Sequence, residues 1–182
     1  AYAEPAGTSP TFHSNRGPIY SYLGERTDRF LLSTLYNKDV NCIYTKDFVK
    51  VGSTLSFENS VYSGGVGISN KTIMCSGGVL YVISEDGVIL NNKLNVGVDI
   101  KSSNNMNMAK IGSNVVTLNS TDSNHPLICI DENLIVSTVE FHAGRKLSIG
   151  VITGCGNFGW AGYIYTTDGS SNARFSIEKI EI

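Results

Sequence analysis

Nearly every apolar stretch of this 182-residue chain is short and bounded by turn residues, and this pattern constrains the fold more than any other feature. Residues 79–84 and 88–90 flank Glu85-Asp86-Gly87. An Asp-Gly pair between two apolar runs predicts a hairpin, because glycine adopts positive φ. Residues 127–130 and 134–136 flank Asp131-Glu132-Asn133 in the same way. Turn signals about every 8–12 residues predict an all-β sandwich or barrel.

The chain divides by composition near residue 37. Prolines and glycines interrupt residues 1–37, and two alternatives remain open for residues 27–36: a short helix capped by Thr27 or Asp28, or an extended arm. We expect an N-terminal arm over 1–37 and one β-sandwich head domain over 38–182. No internal repeat of fixed period is evident, which argues against propellers and solenoids.

Charge and composition exclude several classes of function. The net charge is −2, and Lys and Arg are scattered, so no basic surface for nucleic acid is predicted. The apolar content of 41% and charged content of 16% indicate a globular chain rather than a disordered one. No apolar run is long enough to span a bilayer, so membrane insertion is not expected.

The cysteines and the glycine-rich loop predict neither a metal nor a cofactor. Cys42, Cys75, Cys129 and Cys155 are widely spaced, without the paired spacing typical of zinc sites. Two disulfides are possible in a secreted protein, but four unpaired thiols, buried and packed as small apolar residues, are preferred, with Cys155 the most reactive. Residues 154–159 match Gly-x-Gly-x-x-Gly but precede strand residues, whereas a dinucleotide site needs a helix there.

No catalytic residue is assigned, and we expect a protein that is not an enzyme. Asp122, Ser123 and His125 share one polar loop, whereas catalytic triads draw on separate rigid elements. Carboxylates such as Asp86 and Glu140 could still meet in space. A polysaccharide-degrading enzyme, which needs two such carboxylates, therefore stays open as an alternative.

An aromatic cluster after the glycine-rich loop supplies the candidate ligand contacts. Strand alternation separates Trp160 from Tyr163 and Tyr165 on opposite faces, so at most half of the cluster can serve one site. Aromatic rings bind sugar faces and protein partners, although core or interface packing is the commoner role. The candidate ligand-binding residues are Asn157, Trp160, Tyr163 and Tyr165, with His125 of the 122–125 loop second.

Three stretches together resemble a known family. They are residues 70–84, with a strand, a small-residue turn and an aliphatic-Tyr-aliphatic strand; residues 141–149, with an Ala-Gly turn; and the final run 173–182. Their order is similar to that in the trimeric jelly-roll heads of the tumour necrosis factor and complement superfamily, in particular its bacterial and bacteriophage members. Two departures exist. Arg145 stands where that family commonly has Asp, and the terminal run changes phase after Ile177, which implies a bulge or a strand buried on both faces.

The resemblance implies a function as well as a fold. It implies a homotrimeric jelly-roll head without catalysis, at the end of a bacteriophage tail protein, that recognises a host cell-surface molecule, a glycan or a protein. Residues 1–37 would then connect the head to a shaft. A bacterial surface or spore-coat head, or a lectin-like adhesin, is the alternative.

Overall fold

The computed structural model describes residues 18–34, 41–58, 61, 64–76, 79–94, 108–118, 127–139, 145–167 and 174–182, and the regular elements among them are all strands. A helix of the length and apolarity needed to span a bilayer does not occur among these residues. The strands are β1 (Pro18–Tyr22), β2 (Arg29–Thr34), β3 (Asn41–Thr45), β4 (Lys50–Leu55), β5 (Val66–Ile68), β6 (Lys71–Ser76), β7 (Val79–Ser84), β8 (Ile89–Leu94), β9 (Met108–Ile111), β10 (Asn114–Leu118), β11 (Leu127–Asp131), β12 (Val136–Val139), β13 (Arg145–Cys155), β14 (Phe158–Thr167) and β15 (Arg174–Glu181).

The strands form four antiparallel sheets, each from one continuous part of the chain. The first sheet contains β1 to β4, the second β5 to β8, the third β9 to β12 and the fourth β13 to β15. The prediction of an all-β protein is confirmed. Every pairing among the described strands joins consecutive strands. A jelly roll is built from Greek keys, which return a strand beside one distant in sequence, so the described sheets do not show the predicted jelly-roll connectivity.

Several local predictions are corrected by the strand pairing. Residues 29–34, assigned to a helix or an extended arm, form β2, which pairs with β1 and with β3. The first sheet therefore contains strands from both sides of residue 37, where the domain boundary was placed. The Ala-Gly turn of residues 141–149 lies outside the described residues; beside it, β12 pairs with β11 and β13 pairs with β14.

The terminal strand is confirmed, but its change of phase has another cause. β15 pairs with β14 in unbroken register from Arg174 to Glu181, so no bulge is present. Ile180 is buried, whereas Phe175 and Ile177 are exposed. The apolar residues of β15 therefore lie on both of its sides: Ile180 faces the core, whereas Phe175 and Ile177 face the surface. The strand is not buried on both faces.

The chain separates into two compact units, residues 1–94 and 95–182, and each contains a core between two sheets. In the first unit the core lies between the first and second sheets, and in the second unit between the third and fourth. The cores consist of Leu23, Leu31, Ile43, Phe57, Val61, Met74, Tyr81 and Ile83 in the first unit, and of Ala109, Ile111, Val116, Leu127, Cys129, Ile152, Ala161 and Ile180 in the second.

A backbone feature recurs at a nearly constant interval. Ser69, Gly112 and Gly156 each open the two-residue turn after the first strand of their sheet, with φ of 52°, 60° and 62°. Gly24, with φ of 62°, follows β1 in the first sheet. These positions lie about 44 residues apart, within the range of the 40–45-residue repeats whose four strands form one β-propeller blade. The described sheets therefore do contain a repeat of fixed period in their backbone, although none is evident in the sequence, so propellers are no longer disfavoured on that ground.

A second turn recurs between the third and fourth strands of the first three sheets. In each, the last residue of the third strand donates its backbone N–H to the carbonyl four residues later, and its side-chain oxygen accepts from the N–H of that later residue. The intervening left-handed residues are Phe48, Gly87 and Leu134. The backbone bonds are Thr45 to Val49 (2.9 Å), Ser84 to Val88 (2.8 Å) and Asp131 to Ile135 (3.1 Å), and the side-chain acceptors are Thr45 Oγ1, Ser84 Oγ and Asp131 Oδ1. The two hairpins predicted from residues 85–87 and 131–133 are confirmed.

In each unit, a glycine of the second sheet lies in direct contact with the backbone of the first. A Cβ on Gly67 would lie 1.7 Å from the carbonyl oxygen of Gly24, and a Cβ on Gly154 would lie 1.8 Å from that of Lys110. Real Cβ atoms do not approach that closely, so only glycine lets β5 and β13 lie against the preceding sheet. The two glycines hold equivalent positions, two residues before Ser69 and Gly156.

We predict that Gly154→Ala destabilises the protein by about 1–3 kcal/mol, because the added methyl group would displace backbone rather than a flexible side chain. Gly162→Ala is the matched control on β14, since its Cβ would meet only the Phe175 ring at 3.9 Å, an ordinary contact. Urea unfolding of both variants measures the difference. If the two variants unfolded at the same urea concentration, the close contact between Gly154 and the Lys110 carbonyl would not constrain the residue at position 154.

The thiols differ in exposure. Cys42, Cys75 and Cys129 are buried, whereas Cys155, the last residue of β13, is exposed, so the expectation of four buried thiols is wrong at Cys155. Burial raises the pKa of Cys129 to about 11. Because thiolates are the reactive species, we predict that a thiol reagent at pH 8 rapidly modifies one cysteine per folded chain, and that Cys155→Ser abolishes the fast phase. A second rapidly modified thiol in the folded wild type would contradict this placement.

Candidate functional site

The first sheet has one face in the core of its unit and a second, aromatic face. Strand register places Tyr22 opposite Phe30 and Phe30 opposite Tyr44, while Tyr20 lies opposite Leu32. Residues directly opposite one another on antiparallel strands project to the same side of the sheet. These side chains, together with Cys42 opposite Leu32, form the outer face of the first sheet.

This face carries a concave site, which we call the aromatic groove. It has a volume of about 270 Å³ and is lined by Tyr20, Ser21, Tyr22, Phe30 and Phe48. Tyr20 is 60% exposed, Tyr22 58% and Phe48 45%, so large aromatic surfaces remain in contact with water. Exposed aromatic side chains grouped around a concave surface are typical of binding sites.

Phe30 is the centre of the ring arrangement. Its ring lies 5.8 Å from Tyr20 in a tilted geometry, 5.7 Å from Phe48 edge-on, and 6.0 Å from Tyr44 in a stacked geometry. Each of these centroid distances lies within the favourable range for aromatic pairs. Beside Phe30, the buried residues Leu32, Cys42 and Tyr44 form one apolar cluster. The groove therefore has a packed base, which fixes the rings that surround it.

Phe48 reaches the groove from a strained backbone position. It has φ of 61°, in the left-handed region, where a residue with a side chain is disfavoured by about 1–2 kcal/mol. The Phe48 N–H donates to the Thr45 carbonyl at 2.9 Å, and Thr45 Oγ1 accepts from the Val49 N–H at 3.2 Å. The equivalent positions are Gly87 in the second sheet, which adopts this conformation without strain, and Leu134 in the third, which also carries a side chain. The ring of Phe48 is therefore present despite its conformational cost.

The described lining of the groove is uncharged. Among the residues that the structure describes there, it contains aromatic rings and hydroxyl groups but no carboxylate, imidazole, ammonium or guanidinium group. Burial raises the pKa of Tyr44, so this phenol is protonated at neutral pH. Among the residues that the structure describes, no group of three or more His, Cys, Asp or Glu side chains could hold a metal ion.

The candidate residues predicted from sequence lie elsewhere. Asn157 is exposed in the turn between β13 and β14, and Trp160 is 45% exposed on the surface side of β14. Tyr163 and Tyr165 belong to β14, but their side chains lie outside the described part of the structure, as do His125 and the whole loop 122–125. Asn157 and Trp160 belong to the second unit, whereas the groove belongs to the first.

Sequence reasoning missed every residue of the groove. Tyr20 and Tyr22 lie in the segment assigned to an arm, and Phe30 in the segment for which a helix was one alternative. The signal that could have found them is the alternation of Tyr20, Ser21 and Tyr22, which has the period of a strand with one aromatic face.

Comparisons with known proteins bear on the fold alone. No protein family matches the chain, and no curated protein is similar to it in sequence. Among solved structures, the chain is similar to a quinoprotein alcohol dehydrogenase-like protein from Bacteroides thetaiotaomicron, with a TM-score of 0.51 and 10% identity. The likeness covers 87% of this chain and 51% of the other, so the chain spans about half the length of the structure it matches.

Proposed function

We propose that this protein is a non-enzymatic binding protein that recognises a cell-surface glycan through the aromatic groove. The observation that carries the proposal is the pocket between the exposed rings of Tyr20, Tyr22 and Phe48. A sugar ring has an apolar C–H face, which packs against flat aromatic rings, and hydroxyl groups at its edge, which the two tyrosine hydroxyls can meet.

The uncharged lining supports binding rather than cleavage of the glycan. Glycoside hydrolysis uses two carboxyl groups that flank the scissile bond. The lining side chains that the structure describes include no carboxyl group. A neutral sugar therefore fits the groove better than a charged one, and the role of the site in this proposal is recognition.

The biological setting is part of the proposal and derives from the resemblance of three sequence stretches. A receptor-binding position on a bacteriophage tail, outside the cell, is proposed first, and a bacterial surface adhesin is the alternative. A homotrimer stays a prediction that depends on the same resemblance. Several copies bound to one surface would raise a weak affinity per site.

We predict that Tyr20→Ala weakens glycan binding at least tenfold, because it removes one wall of the groove. The experiment applies the wild-type protein to a glycan array, then measures binding of the selected soluble oligosaccharide per chain by calorimetry. Trp160→Ala is the matched control, an equally large exposed aromatic residue in the second unit. Loss of binding with Trp160→Ala and not with Tyr20→Ala would place the ligand on the fourth sheet and overturn the proposed site.

Phe48→Gly separates binding from folding. Glycine removes the ring and relieves the left-handed conformation, so we expect weaker oligosaccharide binding together with an unchanged or higher melting temperature. A fall in melting temperature by several degrees, with binding retained, would show that Phe48 serves packing instead of the ligand.

A further inference from the structure

The turn that recurs between the third and fourth strands presents a different side chain in each of the first three sheets. Its left-handed residue is Phe48 in the first sheet, Gly87 in the second and Leu134 in the third. Of these three residues, Phe48 is the one that lines the aromatic groove. The groove therefore depends on whatever holds the Phe48 ring in this turn.

Thr45 holds the backbone on both sides of the strained residue. Its Oγ1 accepts from the Asp47 N–H at 3.3 Å and from the Val49 N–H at 3.2 Å. The Phe48 N–H donates to the Thr45 carbonyl at 2.9 Å. A side-chain oxygen that bonds nearby backbone N–H groups stabilises a local conformation other than a regular strand. Thr45 therefore favours the left-handed backbone that the phenylalanine side chain disfavours.

The other two turns show that the paired side-chain bonds accompany a left-handed residue with a side chain. In the turn that contains leucine, Asp131 Oδ1 accepts from the Asn133 N–H at 2.9 Å and from the Ile135 N–H at 2.8 Å. In the turn that contains glycine, Ser84 Oγ accepts from the Val88 N–H at 3.1 Å and from no other N–H among the described residues. Glycine needs no such support, because it adopts positive φ without strain.

The turn is also anchored to the opposite side of the groove. The Lys46 N–H donates to the Asp28 carbonyl at 2.8 Å. Asp28 lies in the turn between β1 and β2, the strands that carry Tyr22 and Phe30. Because this bond fixes only the start of the turn, the position of the Phe48 ring depends on how the rest of the turn is held.

We propose that Thr45 is a positioning residue of the aromatic groove and acts on a bound sugar only through the Phe48 ring. The inference rests on the proposed function. Thr45 is not among the described residues that line the groove. Its Oγ1 holds the ring beside Phe30 before a sugar arrives, so that binding does not have to order the turn. The apparent affinity then scales with the fraction of chains in which the ring is in place.

Variants at Thr45 test this role by calorimetry with the oligosaccharide selected on the glycan array. Thr45→Val keeps the shape of the side chain but removes the acceptor, and it should weaken binding about fivefold. Thr45→Ser keeps the oxygen and should bind as the wild type does. Ser84→Ala is the matched control, because it removes the equivalent oxygen beside a glycine and should leave binding unchanged. Equal losses for Thr45→Val and Ser84→Ala would overturn the proposal.

A double variant separates positioning from a general structural role. Phe48→Gly leaves no ring to position, so the addition of Thr45→Val to Phe48→Gly should weaken oligosaccharide binding no further. The same loss in the presence and in the absence of the ring would show that Thr45 acts by another route, and the proposal would be wrong.

NMR spectroscopy of the protein without oligosaccharide keeps this test apart from the test of glycan binding. The Phe48 and Phe30 ring centroids are 5.7 Å apart, so nuclear Overhauser effects between the two rings are expected. They should weaken in Thr45→Val and persist in Thr45→Ser. Persistence in Thr45→Val would overturn the positioning role, whatever the groove binds. Weakened effects in Thr45→Val, together with a wild type that binds no glycan, would support the positioning role and refute the proposed function.

Discussion

The contact between a glycine and a backbone carbonyl is the interaction on which both units depend. At Gly67 and Gly154 the carbonyl of Gly24 or Lys110 occupies the place that a Cβ would take. The same junctions carry hydrogen bonds between turns, from Glu25 N–H to the Ser69 carbonyl and from the Gly112 N–H to the Gly156 carbonyl. Backbone contact sets the spacing between two sheets, and the apolar side chains of the core then fill the remaining space.

Local turn chemistry was readable in the sequence, whereas strand partners were not. Gly87 follows Asp86 between two apolar runs, so that hairpin was predicted correctly. The partner of a strand is set by packing elsewhere in the chain, and residues 29–34 were therefore assigned to a helix or an arm rather than to a strand between β1 and β3. The repeat was hidden because it resides mainly in backbone conformation. Its trace in the sequence is faint. Gly67-Ile68-Ser69-Asn70 and Gly154-Cys155-Gly156-Asn157 agree in their first residue, glycine, and their last, asparagine, and have a small residue at the third position.

In the candidate site, too, local sequence signals were readable and the pairing of strands was not. The aromatic residue Trp160 was singled out because it follows a conspicuous glycine-rich loop, and it is indeed exposed. The groove escaped notice because its walls come from β1, β2 and a turn, and only their pairing brings them together. Phe48 is the clearest case, since its contribution depends on a left-handed backbone that no pattern of apolar residues indicates.

The strictly consecutive pairing of strands has a consequence for how the chain reaches its structure. Each strand finds its partner one turn away, so forming a sheet closes only short loops, and chains rich in such local contacts fold faster than those with distant pairings. During synthesis, the hydrogen bonds of one sheet can be complete before the next sheet has been made. We expect the closing of one sheet onto the next to come later, because it must bring Gly67 against Gly24 and Gly154 against Lys110.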